Sequence, residues 1–211
     1  MVGLPADPES TALLSGERQV APALEGIQQD HLERYRWAAA QSTGTVLDIG
    51  AGIGYGSAIL ADAPGVRQVI SVERSQESLD YAKAHYDRDT ITRCGIDLDG
   101  YAFEDSPLAD SATAFEIIEH LANPTPMLKS LPAQRLFASV PNQDVIPYSP
   151  ETAPFHQRHY TQDQFERLLN ATGWQVEGWY GQQGRDSPVL PYTPDCRTLI
   201  AAARRCPPLV S

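Results

Sequence analysis

The stretch from Val46 to Leu60, VLDIGAGIGYGSAIL, constrains this chain more than any other. A run of β-formers breaks into alternating glycines and then reads as a helix, the layout of the first strand–turn–helix of a nucleotide-binding α/β unit. A dinucleotide fingerprint needs a small third residue, so that the helix can close on a pyrophosphate. Here the glycines are Gly50, Gly52, Gly54 and Gly56, and the third fingerprint position is Tyr55, which is too large. No G-K-[ST] follows, which excludes a P-loop. Asp48, two residues before the first glycine, would repel a pyrophosphate and suits a ligand with a positive group. Glu73, closing the strand "RQVISVE", stands roughly where an acid would hold a ribose diol. Nucleoside, cation and no phosphate together describe S-adenosylmethionine.

The remaining pattern extends the α/β reading. "QQDHLERYRWAAA" is expected as a helix, with Asp30 as N-cap. Ser75 caps a second helix whose Leu79, Ala82 and Tyr86 share a face. "ITRCGID", "SATAFEII" and "RLFASVP" read as further strands, with a short helix "PTPMLKSL" between the last two. Thr161 and Gln164 form a capping box for a helix that ends at Gly173. "WQVEGWYGQ" and "TLIAAARR" then follow as two strands joined by a Pro-rich segment. The fold class is therefore α/β: a doubly wound, mostly parallel seven-stranded sheet with an antiparallel edge hairpin. Residues 1–25, rich in Pro, Gly, Ser and Ala, are expected as a flexible N-terminal arm before a single domain over 26–206.

At 211 residues the chain suits one domain with a sizeable core. A net charge of −11 disfavours nucleic acid, whose binding depends on Lys and Arg neutralising phosphates, and favours a small-molecule acceptor. No apolar run approaches the length of a membrane span. The N-terminus lacks a secretory pattern, and three scattered cysteines fit a reducing cytoplasm, where the protein is expected. No motif sets an oligomeric state.

"VLDIGAGIGYG", Glu73, "GID" (95–97), "FEIIEHLANP", "SVPN" and "FHQRHY" resemble, in order, the motifs of class I S-adenosylmethionine-dependent methyltransferases. The resemblance spans roughly residues 27–205. It implies a Rossmann-like fold and a cofactor site made of Asp48, Gly50, Gly52, Gly54, Tyr55, Glu73, Arg74, Asp97, Leu98 and Glu116. Arg34 and Tyr35 would join it from the N-terminal helix, Arg34 by pairing with the methionyl carboxylate. The E-x-x-E-H pattern with a later His is similar to that of the ubiquinone-pathway and small-RNA O-methyltransferases, which use a metal.

Three readings of Glu116, Glu119, His120 and His156 stay open. A divalent ion (Mg, Mn or Zn) held by all four would lower the pKa of a bound hydroxyl. A histidine alone would serve as general base. Otherwise Glu119 and His120 merely cap and orient a helix after the fourth strand, while Glu116 faces the cofactor. The 116, 119, 120 spacing would suit neighbouring positions on one helical turn. His159 stands where related sequences often carry an acid, as in F-H-x-x-E-Y, and is a second base candidate. The expected reaction is O-methylation of a small-molecule or sugar-like acceptor. N-methylation, 2′-O-methylation of nucleic acid and a non-catalytic cofactor-binding role are the alternatives. A nicotinamide-dependent oxidoreductase is the rival from another class, and Tyr55 counts against it.

Overall fold

A computed structural model of the chain describes residues 19–104 and 106–206. Residues 1–18 of the expected arm lie outside them. Among the described residues, eight strands form one sheet. They are β1 (Gly44–Ile49), β2 (Val66–Glu73), β3 (Ile91–Gly95), β4 (Ala109–Phe115), β5 (Ala133–Pro141), β6 (Trp174–Gln182), β7 (Leu190–Pro191) and β8 (Thr198–Arg205). The helices are α1 (Gln29–Ala39), α2 (Tyr55–Ala61), α3 (Gln76–His85), α4 (Thr125–Ser130) and α5 (Gln162–Ala171).

Strand order is β3-β2-β1-β4-β5-β8-β6-β7. The first five strands pair in parallel, and β8 runs antiparallel to both β5 and β6. The expected seven strands become eight. The addition is the two-residue β7, in which Leu190 and Pro191 pair with Gly181 and Tyr180 at the sheet edge. An edge position tolerates the proline's missing N–H.

Alternation along the central strands feeds two apolar layers, one on each face of the sheet. Leu47 and Ile49 of β1 join Leu136, Ala138, Val140, Met127, Phe165 and Trp174 in one layer. Val46 joins Ile53, Phe137, Leu32 and Tyr35 in the other. The last two of these come from α1, which lies on that second face.

The caps explain where helices begin. Ser75 accepts the Ser78 N–H, and both arms of the Thr161–Gln164 capping box are formed. Asp30 is not the cap of α1: Gln28 holds that position without a side-chain bond. Asp30 lies inside the first turn, with its N–H bonded to the Arg185 carbonyl and its carboxylate 3.5 Å from Arg34. Upstream, a short 3₁₀ turn spans Leu24–Gly26. Ala21 there is buried and its carbonyl accepts the Tyr86 hydroxyl at 2.6 Å.

Candidate active site

The turn after β1 opens a cavity of about 690 Å³ at the carboxyl ends of the parallel strands, where ligands of doubly wound sheets bind. Its size is that of a cofactor or small-molecule site. Gly52 takes φ +54, and a Cβ built on it would meet nothing within 4 Å. The backbone is thus bare toward the cavity, which allows close approach of a ligand. Gly56 has a different function: a Cβ there would collide with the Tyr35 ring, so α1 rests directly on α2.

Glu73 ends β2 at the cavity wall and is 5% exposed. Its carboxylate accepts the Gly52 N–H at 3.1 Å and the Ser75 N–H at 2.9 Å. These two bonds hold it in one orientation between the glycine turn and the start of α3. Arg74, Asp97 and Leu98 line the same wall, as do Gly50, Tyr55 and Tyr35. Asp97 accepts the Asp99 N–H, which turns the chain after β3.

Three residues expected at the cofactor, Gly54, Asp48 and Arg34, are not on the wall. Gly54 lies beyond it, packed against Ala82. Asp48 is fully buried under the turn, where it accepts from Tyr35 at 3.1 Å, Thr113 at 2.8 Å and Ser57 at 2.6 Å. Burial pushes its pKa up, more than the three hydroxyls pull it down. Asp48 therefore ties α1, α2, β1 and β4 together from below.

Arg34 also departs from its expected role. It is 2% exposed, and its guanidinium donates to Gln182 at 2.8 Å and Ser139 at 3.1 Å, and pairs with Glu116 at 2.9 Å. Protein groups occupy the fork that was expected to hold a methionyl carboxylate. Glu116 follows β4 with φ +50, a left-handed backbone that costs a non-glycine residue about 1 kcal/mol. Ser139 donates to its carboxylate at 2.6 Å. Burial raises the pKa of Glu116, but Arg34 and Ser139 outweigh it and leave the carboxyl low.

That left-handed residue changes the local geometry of E-x-x-E-H. Glu116 stands before the helical turn rather than in it, and only Ile118–His120 form a single 3₁₀ turn. Glu119, His120 and His156 do converge: each offers a ligand atom, and the three atoms lie within 4.8 Å of one another. Glu116 is outside this group. His120 Nδ1 is 3.0 Å from the Phe155 carbonyl and so carries its proton there. The Gln157 N–H donates to the Glu119 carbonyl at 2.8 Å, which fastens the histidine loop to the 3₁₀ turn. His159 does not reach the cavity wall; it is 7% exposed and stands behind His156, Nε2 to Nδ1 at 2.8 Å. Of the aromatics nearby, half-exposed Phe155 lines the cavity, whereas Tyr160 belongs to the core.

The sequence reading missed His31. It lines the cavity and bonds to Tyr55 Oη at 2.9 Å, and its i,i+4 spacing to Tyr35 was the available signal. Burial, with Arg34 nearby, lowers its pKa from 6.5 to about 4. An unfolded chain takes up a proton at this site near pH 6.5 while the fold resists it to near pH 4. The contribution is thus complete above pH 6.5 and is lost as pH falls toward 4. Between pH 7 and pH 4 the protein is expected to lose about 2–3 kcal/mol more than His31→Gln does. Urea unfolding of both at the two pH values measures this; equal losses would mean that water already reaches the ring.

Residues 47–132 match the family model described as a methyltransferase domain. No curated protein matches the chain. Among solved structures, one chain in the complex between the Haloferax volcanii Trm112 methyltransferase activator and the putative methyltransferase is similar at TM-score 0.71. Their identity is 17%, with 85% of this chain and 90% of that chain covered. A putative S-adenosylmethionine-dependent methyltransferase from Listeria monocytogenes is similar at TM-score 0.62 and 15% identity, covering 82% and 99%. The small RNA methyltransferase HEN1 matches at TM-score 0.64 and 21% identity, over 83% of this chain and 26% of that one.

Proposed function

We propose that this chain is a class I S-adenosylmethionine-dependent methyltransferase, consistent with the methyltransferase-domain match over residues 47–132, and that it methylates a hydroxyl of a small or sugar-like acceptor beside Glu119, His120 and His156. The convergence of those three side chains at the rim of the cavity under the glycine turn carries the reading. Glu73 would hold the ribose diol, with Asp97 and Leu98 at the adenine end. The methyl group would then face the wall formed by Glu119, His120 and His156.

Transfer is an in-line displacement. The acceptor oxygen forms a bond to the methyl carbon, the carbon–sulfur bond breaks, and the sulfonium leaves as the neutral thioether S-adenosylhomocysteine. Where no metal is bound, the hydroxyl proton goes to His156 Nε2. Because the leaving group is already activated, holding the two reactants at contact distance supplies much of the rate.

One carboxylate and two imidazoles also suit a divalent ion. Glu119, His120 and His156 would hold it, and it would lower the pKa of the acceptor hydroxyl. Glu116 is committed to Arg34 and Ser139, so the protein would supply three ligands rather than the four expected. RNA is a poorer acceptor than a small molecule for a chain of net charge −11, since little phosphate could be neutralised.

Calorimetric titration of Mn²⁺ into protein saturated with S-adenosylhomocysteine tests the metal, with His120→Ala as control. One site in the native chain, lost in the variant, is expected, and directs an acceptor screen with methyl-labelled cofactor to diols and catechols. An absent site would leave His156 as base without a metal. Labelled product on an amine instead of a hydroxyl would overturn O-methylation.

A further inference from the structure

Behind His156 lies a second imidazole, set back from the cavity wall and in hydrogen-bond contact with the first. His159 Nδ1 is 2.6 Å from the Ile146 carbonyl, and its Nε2 is 2.8 Å from His156 Nδ1. A carbonyl only accepts, so the proton of His159 must lie on Nδ1. With His159 neutral, its Nε2 presents a lone pair, and His156 then donates to it from Nδ1. The proton of His156 is thereby assigned as well. Nε2 becomes the one atom of that ring able to take a proton or bind a metal ion.

The surroundings brace this chain of contacts. Pro141, Asn142 and Gln143 are tied by backbone bonds to Tyr160 and Arg197, which closes the base of the loop carrying both rings. Tyr148 donates its hydroxyl to the His156 carbonyl at 2.9 Å, and its ring meets His159 edge to face at 5.6 Å. The Ile146 N–H bonds to Asn142 at 2.7 Å, so the terminal carbonyl belongs to a tight turn. Each joint of the line Ile146–His159–His156 is therefore held by a separate interaction.

We propose that His159 is a positioning residue: anchored on the Ile146 carbonyl, it fixes His156 as the Nδ1–H tautomer and so presents Nε2 to the acceptor or its metal. An acid at this place would orient the ring equally well but would bring a second negative charge beside Glu119. A neutral His159 performs the orientation without charge. The assignment rests on the functional reading above, in that it supposes His156 acts at the cavity. It concerns ring protons and can be read with no acceptor, metal or turnover.

The test uses full-length protein, labelled with ¹⁵N-histidine and saturated with S-adenosylhomocysteine. Two-bond ¹H–¹⁵N correlations report the tautomer of each of the five histidines. His156 and His159 are both expected as Nδ1–H. His159→Gln should preserve the His156 tautomer, because an amide oxygen accepts from His156 while its NH₂ donates to Ile146. His159→Leu should release it toward the Nε2–H form. Zn²⁺ affinity is expected to fall about 10–100-fold in His159→Leu and to be largely retained in His159→Gln. Affinity for S-adenosylhomocysteine, unchanged in both, reports that the variants are folded. A native His156 protonated on Nε2, a charged His159, or an unaltered tautomer in His159→Leu would overturn the proposal. Correct tautomers in a native chain that binds no Zn²⁺ would uphold the positioning role and remove only the metal from the functional reading.

Discussion

Arg34→Ala is expected to destabilise the protein by about 3–5 kcal/mol, the usual cost of removing one partner of a buried ion pair. Arg34 is 2% exposed and joins α1 to three distant elements: Gln182 at the end of β6, Ser139 in β5 and Glu116 after β4. Without the guanidinium, Glu116, three-quarters buried at the cavity wall and in a left-handed backbone, would keep the Ser139 hydroxyl as a donor. Loss of the pair would also raise the Glu116 pKa, since Arg34 is the strongest influence holding it down against burial. At roughly 2–4 °C per kcal/mol for a chain of this size, Tm should drop by about 10 °C. Calorimetric or urea unfolding measures it. The double variant Arg34→Ala/Glu116→Gln should recover part of the loss, because no buried charge is left behind. A loss below about 1 kcal/mol would mean that water reaches the pair and the link is worth no more than a surface bridge.

Glu73→Ala is expected to weaken binding of S-adenosylhomocysteine by about 10–100-fold, the value of hydrogen bonds to one charged group. Two effects add. In the proposed placement of the cofactor the ribose would lose its acceptor, and the Gly52 and Ser75 N–H groups lose the carboxylate that shapes the turn between them. A 2′-deoxyribose analogue separates the two. The native protein should bind it more weakly than the parent compound, and this difference should disappear in Glu73→Ala. Glu73→Gln, which keeps an acceptor of similar size, should fall between. A persisting 2′-hydroxyl preference in Glu73→Ala would assign ribose recognition to another residue.

Much of the scaffold was legible because its signals are local. A β-run, positive-φ glycines and a following helix occupy fifteen consecutive residues, and Ser75 and Thr161 find their N–H partners within three positions. Glu73 was legible too, since it marks the end of a strand whose apolar alternation is plain. The two-residue β7 was not, as nothing in "VLPY" has strand length. Pairing at the sheet edge alone makes it a strand.

The site was read less completely, for a related reason. E-x-x-E-H suggests three residues of one helical turn, but the left-handed backbone at Glu116 separates the first from the other two. That conformation is sustained by Arg34 and Ser139, 82 and 23 positions away, and no pattern near residue 116 announces them. Asp48 looked like a ligand group because it precedes the glycines. Three hydroxyls from α1, α2 and β4 enclose it instead.

What the sequence by itself determined is the alternation of strands and helices, their caps, the glycine turn and the acid at the end of β2. Each depends on residues a few positions apart, within reach of one turn or one pleat. The tertiary structure alone decided which group meets which: Arg34 with Glu116, and His159 with His156. Such partners are chosen by the folding of distant segments against each other. In a buried site a charged or polar group takes whatever donor or acceptor the packing brings within about 3 Å, because leaving it unpaired is costlier than any local preference.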